Sequence, residues 1–238
     1  MRTLLIDTST EILLVILAEE QATPEGVKPV ILSLRYTKTG LNHAQRILED
    51  LEALLEETET APEQLTGIGC SLGPGSFTGL RIGLCTAKGL AEGWKIPLFG
   101  LDSLRAMAEA AALVQPTANY FLPVIDARKG RFYGQIFQKN TEGQLLSTTS
   151  PLDLLPSEYL RWQKENLVLC GYQPQLLQES LVEQQKWPTN WAIWRDSPEG
   201  QGVSWAKTLV QQLSSQESLS PWSGPKYLRP SEAEEAKA

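Results

Sequence analysis

Near residue 42 the apolar residues of this chain change their spacing, and that change dictates the fold class. Before it, Thr3–Thr8 and Ile12–Ala18 are apolar runs parted by the polar stretch Asp7-Thr8-Ser9-Thr10-Glu11. A third run, Pro29–Tyr36, follows a loop containing Pro24 and Gly26. Short runs bounded by turn residues read as strands, so the chain opens with a three-stranded meander. After it, Ile47, Leu48, Leu51, Leu54 and Leu55 recur at helical spacing. That spacing predicts an amphipathic helix over residues 43–57, with Asn42 as N-cap and Gln45 three residues on.

The alternation continues. Thr66–Leu72 reads as a strand, Gly73-Pro74-Gly75-Ser76 as a tight turn, residues 78–94 as a second helix, Pro97–Leu101 as a strand, and a helix starts near Asp102. Three strands, helix, strand, helix, strand resembles the ribonuclease-H-like unit that occurs twice in actin-like ATPases and sugar kinases. The second half starts the same way, with a hairpin of Tyr120–Ile125 and Arg131–Gln138 around Asp126-Ala127-Arg128-Lys129-Gly130. Beyond it, Pro156–Asn166, Gln175–Gln184 and Gly202–Gln212 read as helices and Leu167–Cys170 as a strand. The expected architecture is a two-lobed, actin-like α/β fold, each lobe a mixed sheet with helices. Residues 1–104 would form the first lobe and 105–214 the second. Residues 215–230 would pack back on the first lobe, and 231–238 would fray.

Composition narrows the function classes. With 42% hydrophobic and 21% charged residues over 238 positions, the chain is an ordinary globular protein. Its longest apolar run, Ile12–Ala18, is far short of the ~20 residues of a bilayer span, so a cytoplasmic protein without membrane attachment is expected. Three isolated cysteines argue against a disulfide framework and a zinc site. The net charge is −7, and no stretch gathers Lys and Arg into a face that could follow a nucleic-acid backbone. Six of the seven tryptophans follow residue 160, which supports two lobes of different character.

Four segments could carry chemistry. Asp7, Thr8, Ser9 and Thr10 at the end of a buried strand could hold a phosphate or a magnesium ion, or could form a plain hairpin turn. Gly73, Gly75 and Ser76 lie between a strand and a helix, where glycines allow close approach and a helix N-terminus offers N–H groups to an anion. Yet Gly73 to Gly79 followed by Leu80 does not match a Walker A loop, Thr78 breaks the dinucleotide fingerprint, and Pro74 and Thr78 break a nucleophile elbow at Ser76. A tight strand-to-helix turn remains open beside phosphate binding. Gly79, Gly83, Ala87 and Ala91 recur every four residues, beside Leu80, Leu84 and Lys88. Each helical glycine costs about 1 kcal/mol relative to alanine. Such a ridge is offset by close packing on this protein's own core or on another chain. His43 is the only histidine, which fits a capping or packing role and leaves metal sites and serine triads without a partner.

Asp7-Thr8-Ser9-Thr10, His43-Ala44-Gln45-Arg46-Ile47-Leu48, the run from Gly73 through Leu80-Arg81-Ile82-Gly83, and Ile125-Asp126-Ala127-Arg128 together resemble the TsaB family, in that order along the chain. The tail Pro225-Lys226-Tyr227-Leu228-Arg229-Pro230 is similar to that family's usual end. The resemblance implies a degenerate relative of TsaD, the catalytic threonylcarbamoyl transferase. Such a relative pairs with TsaD, joins TsaE in a larger assembly, forms a homodimer in isolation, and meets tRNA only indirectly. TsaD's metal-binding His-x-x-x-His falls on Ser103 and Met107, neither of which replaces an imidazole, so no metal, cofactor or catalytic residue is expected. TsaD's nucleotide-contacting turn corresponds to Asp126–Gly130, where a carboxylate repels phosphate. The partner surface implied by the family lies on the first two helices, with His43, Arg46, Ile47, Gly79, Leu80, Gly83, Leu84, Ala87 and Lys88 as its candidates. Asp7, Thr8, Ser9, Gly73, Gly75 and Ser76 would face any nucleotide. A sugar-kinase-type phosphotransferase using Asp7 and the glycine loop is the alternative, and a peptidase would lack a catalytic dyad.

Overall fold

The computed structural model describes residues 2–23, 26–38, 42–162, 164–194, 210, 218–220 and 223–228. The chain divides into two compact units, Met1–Ser103 with Pro198–Lys226 and Leu104–Ser197 with Tyr227–Ala238. Apart from Val210, the helix expected over 202–212 lies outside the described residues, as do Pro24 and the tail 231–238.

The first unit contains β1 (Arg2–Asp7), β2 (Ile12–Thr23), β3 (Gly26–Lys38), α1 (His43–Glu57), β4 (Leu65–Ser71), α2 (Phe77–Trp94) and β5 (Leu98–Leu101). Its sheet has the order β3-β2-β1-β4-β5, with β2 antiparallel to both neighbours and β1, β4 and β5 parallel. Leu4, Leu5 and Ile6 in the central strand are all fully buried. A strand covered on both faces reads as a continuous apolar run rather than an alternating one.

Helix α1 buries Ile47, Leu51 and Leu54 against this core, while Leu48, at the edge of the same apolar stripe, stands 55% exposed. The N-cap role expected of Asn42 is not realised. Its backbone (φ −94°, ψ 28°) is turn-like rather than extended, and its side chain makes no capping bond; the Gln45 N–H bonds the Asn42 carbonyl instead. At the other end, Glu59 takes a left-handed conformation (φ 48°), and the Thr60 N–H closes on the Leu55 carbonyl at 2.9 Å. This is the usual closing turn of a helix, with glutamate where glycine is favoured. Farther along the chain, Ser218 bridges Phe99 and the Leu219 N–H bonds the Leu98 carbonyl, covering the outer edge of β5. The Lys226 N–H then bonds the Leu72 carbonyl at 2.7 Å.

The second unit opens with α3 (Ser103–Val114), of which only Ser103 belongs to the first unit. It contains β6 (Tyr120–Arg128), β7 (Arg131–Gly134), β8 (Phe137–Lys139), β9 (Leu145–Ser147), β10 (Leu152–Leu154), β11 (Leu167–Gly171), α4 (Gln175–Glu183) and β12 (Trp191–Ile193). Its main sheet runs β10-β7-β6-β11-β12, with β6 antiparallel to β7 and parallel to β11. This five-strand path repeats the first unit's order and strand directions, as a duplicated ribonuclease-H-like fold requires, with β8 and β9 added beside β6. The helix expected over 156–166 is instead a 3₁₀ turn, Pro156–Trp162. Its Tyr159 is fully buried and donates to the Phe132 carbonyl at 2.7 Å, beside Gly134, where a side chain would collide with the ring. β9, β10 and β12 were not expected from sequence; at three residues each they are too short to display a period.

Candidate functional site

The turn after β1 ties the first unit's helices to its sheet. One Asp7 carboxylate oxygen, Oδ1, accepts the Ser9 N–H at 2.7 Å, and the Thr8 hydroxyl donates to the Gly79 carbonyl at 2.8 Å. The Ser9 carbonyl accepts the Ser76 N–H at 2.7 Å. His43 Nε2 lies 2.8 Å from the Thr10 carbonyl. A carbonyl only accepts, so Nε2 carries the proton and the lone histidine pins α1 to the turn.

The glycines facing this turn are close-approach positions. A Cβ on Gly75 would fall inside contact distance of the Ser9 carbonyl, on Gly79 of the Thr8 carbonyl, and on Gly83 of the Thr8 hydroxyl. Gly73 adopts φ +103°, a backbone state that favours glycine, and precedes a cis proline. Ser76 caps α2, its hydroxyl accepting the Gly79 N–H at 3.2 Å. The N–H groups of Ser76 and Gly79 are therefore satisfied by the chain itself. Of the two readings of the glycine loop, the geometry favours the packed strand-to-helix turn.

Asp7 is buried, and burial pushes its carboxyl pKa up. The Ser9 N–H, the nearby Ser9 and Ser71 hydroxyls and the charge on His43 offset this in part. Its second oxygen, Oδ2, and the hydroxyls of Ser9, Ser71 and Ser103 are buried without a hydrogen-bond partner within ordinary reach. Burial thus favours the neutral acid in the metal-free chain.

The stripe Gly79, Leu80, Gly83, Leu84 and Ala87 faces inward. His43 and Ile47 are also buried, so seven of the nine residues assigned to a partner surface are enclosed by their own unit. The cause is the close packing of the α2 glycines on Thr8. Arg46 is exposed and ion-pairs with Glu49 and Asp50, while Lys88 donates to the Ser223 carbonyl at 2.6 Å. The outward face of α2 instead presents Thr78, Arg81, Cys85, Gly89, Glu92 and Gly93. A Cβ on Gly89 or Gly93 would meet nothing within 4 Å. Sequence reasoning missed this second pair, although the four-residue interval between them was there to be read.

Ser103 and Met107, which the family resemblance sets against the transferase's histidines, are both buried. They do not fit a metal, and among the described residues no group of three His, Cys, Asp or Glu is placed to hold one. In the second unit, Arg128, Lys129 and Gly130 all adopt positive φ at the β6–β7 turn, and the Asp126 carboxylate accepts the Arg128 N–H at 2.8 Å. Among the described residues no helix is long and apolar enough to cross a membrane.

Residues 15–150 match the family described as TsaD, tRNA N6-adenosine threonylcarbamoyltransferase. The tRNA threonylcarbamoyladenosine biosynthesis protein TsaB of Escherichia coli is 34% identical over 143 residues, 60% of this chain and 58% of that one. TsaB of Bacillus subtilis is 30% identical over 165 residues, 69% of this chain and 67% of its own length. The solved structure of YeaZ from Pseudomonas aeruginosa superposes with a TM-score of 0.70 at 25% identity, covering 95% of this chain and 99% of YeaZ. The duplicated fold, the glycine loop closed on the Asp7 turn and these matches agree, and the chain belongs to the TsaB family, a branch of the TsaD-like proteins.

Proposed function

We propose that this chain is a non-catalytic, cytoplasmic subunit that pairs with TsaD and supports transfer of threonylcarbamoyl to the adenosine beside the anticodon of tRNAs reading codons that begin with A. The observation that carries the non-catalytic part is the pair Ser103 and Met107, buried and chemically unsuited to a metal, where the transferase has its histidines. A subunit of this kind acts by binding one state of its partner better than another. TsaE joins the larger assembly, and tRNA is met through TsaD.

The contact surface in this reading is the outward face of α2 rather than the buried stripe. Gly89 costs the helix interior about 1 kcal/mol relative to alanine and Gly93, in the last turn, somewhat less, and a Cβ on either would meet nothing within 4 Å. A second helix lying along that face would supply the offset, since small residues let helix axes come close. The same face would serve a homodimer when TsaD is absent.

Sedimentation velocity of the chain alone and mixed with TsaD from the same organism tests this. A heterodimer is expected, and Gly89→Leu, which puts bulk on the outer face without touching the core, is expected to weaken it at least tenfold. Reconstituted tRNA modification should depend on the chain and fall with the same substitution. No association in any nucleotide state, together with ATP turnover by the chain alone, would overturn the reading in favour of the phosphotransferase.

A further inference from the structure

The first unit's sheet ends on two edges, and they are protected differently. β3, one edge, contains Pro29, which has no N–H to offer, and the charged Arg35 and Lys38, and a bulge breaks its register opposite Leu17 and Ala18. Proline, charge and a bulge are the devices that keep an edge strand from pairing with another chain. β5, the other edge, reads Leu98-Phe99-Gly100-Leu101, with no charge, no proline and an unbroken register on β4. Residues 218–226 guard it instead. Ser218 forms an antiparallel bridge with Phe99, and the Leu219 N–H bonds the Leu98 carbonyl at 2.6 Å. Gly100 makes room for this segment, since a Cβ there would collide with Leu72 and crowd the Leu219 side chain. Farther on, Lys88 donates to the Ser223 carbonyl at 2.6 Å and the Lys226 N–H bonds the Leu72 carbonyl at 2.7 Å. The Lys226 ammonium lies 3.8 Å from the Asp102 carboxylate.

The attachment is light. None of the described residues between 218 and 226 is buried, and among them Leu219 alone packs on the core cluster. A segment held by a few backbone bonds and one leucine opens locally, well below the free energy of global unfolding. The edge it leaves has already accepted an antiparallel segment at Phe99. In a two-fold pair the same strand of a second copy arrives antiparallel, and β5 carries no charge to oppose its own copy. We infer that residues 218–226 are a detachable strap: docked, they keep β5 from adding a strand, and released, they open that edge to β5 of a second copy of this chain. The strap acts at the sheet edge, so it does not depend on pairing with TsaD through α2.

The test uses the full chain in a Gly89→Leu background, so that association through α2 does not enter. In hydrogen exchange the Leu219 and Lys226 amides should exchange at least about a hundredfold faster than the Leu5 amide of the central strand. Equal protection would make the segment a permanent part of the sheet and overturn the inference. Leu219→Pro/Lys226→Pro then removes both backbone donors and the leucine anchor while β5 keeps its sequence. Sedimentation velocity over a range of concentrations should show self-association at least about tenfold tighter with the two prolines than without them. A synthetic peptide of residues 214–228 should dock on the open edge and reverse that association, and the same peptide with both prolines should not. A proline variant that associates no more than its background, or associates whatever peptide is added, overturns the inference. Thermal melts check folding. If the proline variant does not unfold cooperatively, Lys88→Ala, which loosens the strap at Ser223, takes its place under the same two readings, with a smaller shift expected.

Discussion

On the inner face of α2, Gly79 and Gly83 stand four residues apart, and a methyl group on either would collide with Thr8. On the outer face, Gly89 and Gly93 also stand four apart, and a methyl group on either would meet nothing within 4 Å. In each pair one glycine, Gly83 or Gly89, lies in the helix interior at a cost of about 1 kcal/mol, and the other, Gly79 or Gly93, lies in a terminal turn where the cost is smaller. For the inner pair the offset is in view: the Asp7 turn packs against the helix, with Thr8 bonded to Gly79. For the outer pair the described chain supplies none. An identical interval thus serves two purposes, and only the surroundings separate a glycine kept for its own core from one kept for something outside.

The sharpest way to break the comparison is Gly79→Ala. Its new methyl would strike the Thr8 backbone carbonyl, which belongs to a buried turn and has no room to retreat. A loss of about 3 kcal/mol, the upper end for overpacking, is expected in urea denaturation of the isolated chain. A loss below about 1 kcal/mol, the range of a mild repacking, would mean that the inner glycines are not close-approach positions.

The outer pair should respond in the opposite direction. Gly89→Ala/Gly93→Ala removes one helix-interior glycine and one in the last turn without a clash, so the isolated chain should gain between about 1 and 2 kcal/mol, most of it from Gly89. If the outer face meets another helix, the gain comes with weaker association with TsaD in sedimentation. A stabilised double variant that binds TsaD as well as the parent would leave the outer glycines without a role in the contact.

Much of this was legible in the sequence because periodicity reports burial. The apolar runs of β1 and β2, the helical rows of α1 and α2, and the repeated hairpin at Tyr120 all follow from spacing. The sequence also carries the glycine intervals, but it cannot show direction. Gly79 and Gly89 look alike until Thr8 is seen to press on one of them. Leu48 falls on the helical row with Ile47 and Leu51, yet at the edge of that row it stays 55% exposed. Asn42 fails as a cap through backbone dihedrals that residue type does not determine. The 3₁₀ turn at Pro156–Trp162 in place of a helix reflects a tertiary constraint, the Tyr159 hydroxyl drawn to the Phe132 carbonyl.

The smallest expected effect concerns what the inner glycines admit. By packing on the β1 turn they help bury Asp7, whose carboxyl is pushed up by that burial and has one oxygen without a partner. A carboxyl whose folded pKa lies above its unfolded value binds its proton more tightly in the native state. Its contribution to stability is full below the ordinary carboxylate range and is lost as pH rises through the raised folded value. Asp7→Asn keeps an oxygen to accept the Ser9 N–H and removes the titration. Urea midpoints of parent and variant should therefore diverge as pH rises from 4, with the variant gaining about 1 kcal/mol relative to the parent, the low end of what an unpaired buried polar atom costs. A variant destabilised equally at every pH would instead indicate that Asp7 acts through shape or hydrogen bonding alone. A variant whose deficit grows with pH would mean an ionised Asp7 held by a cation, and would reopen the reading of this turn as a magnesium–phosphate site.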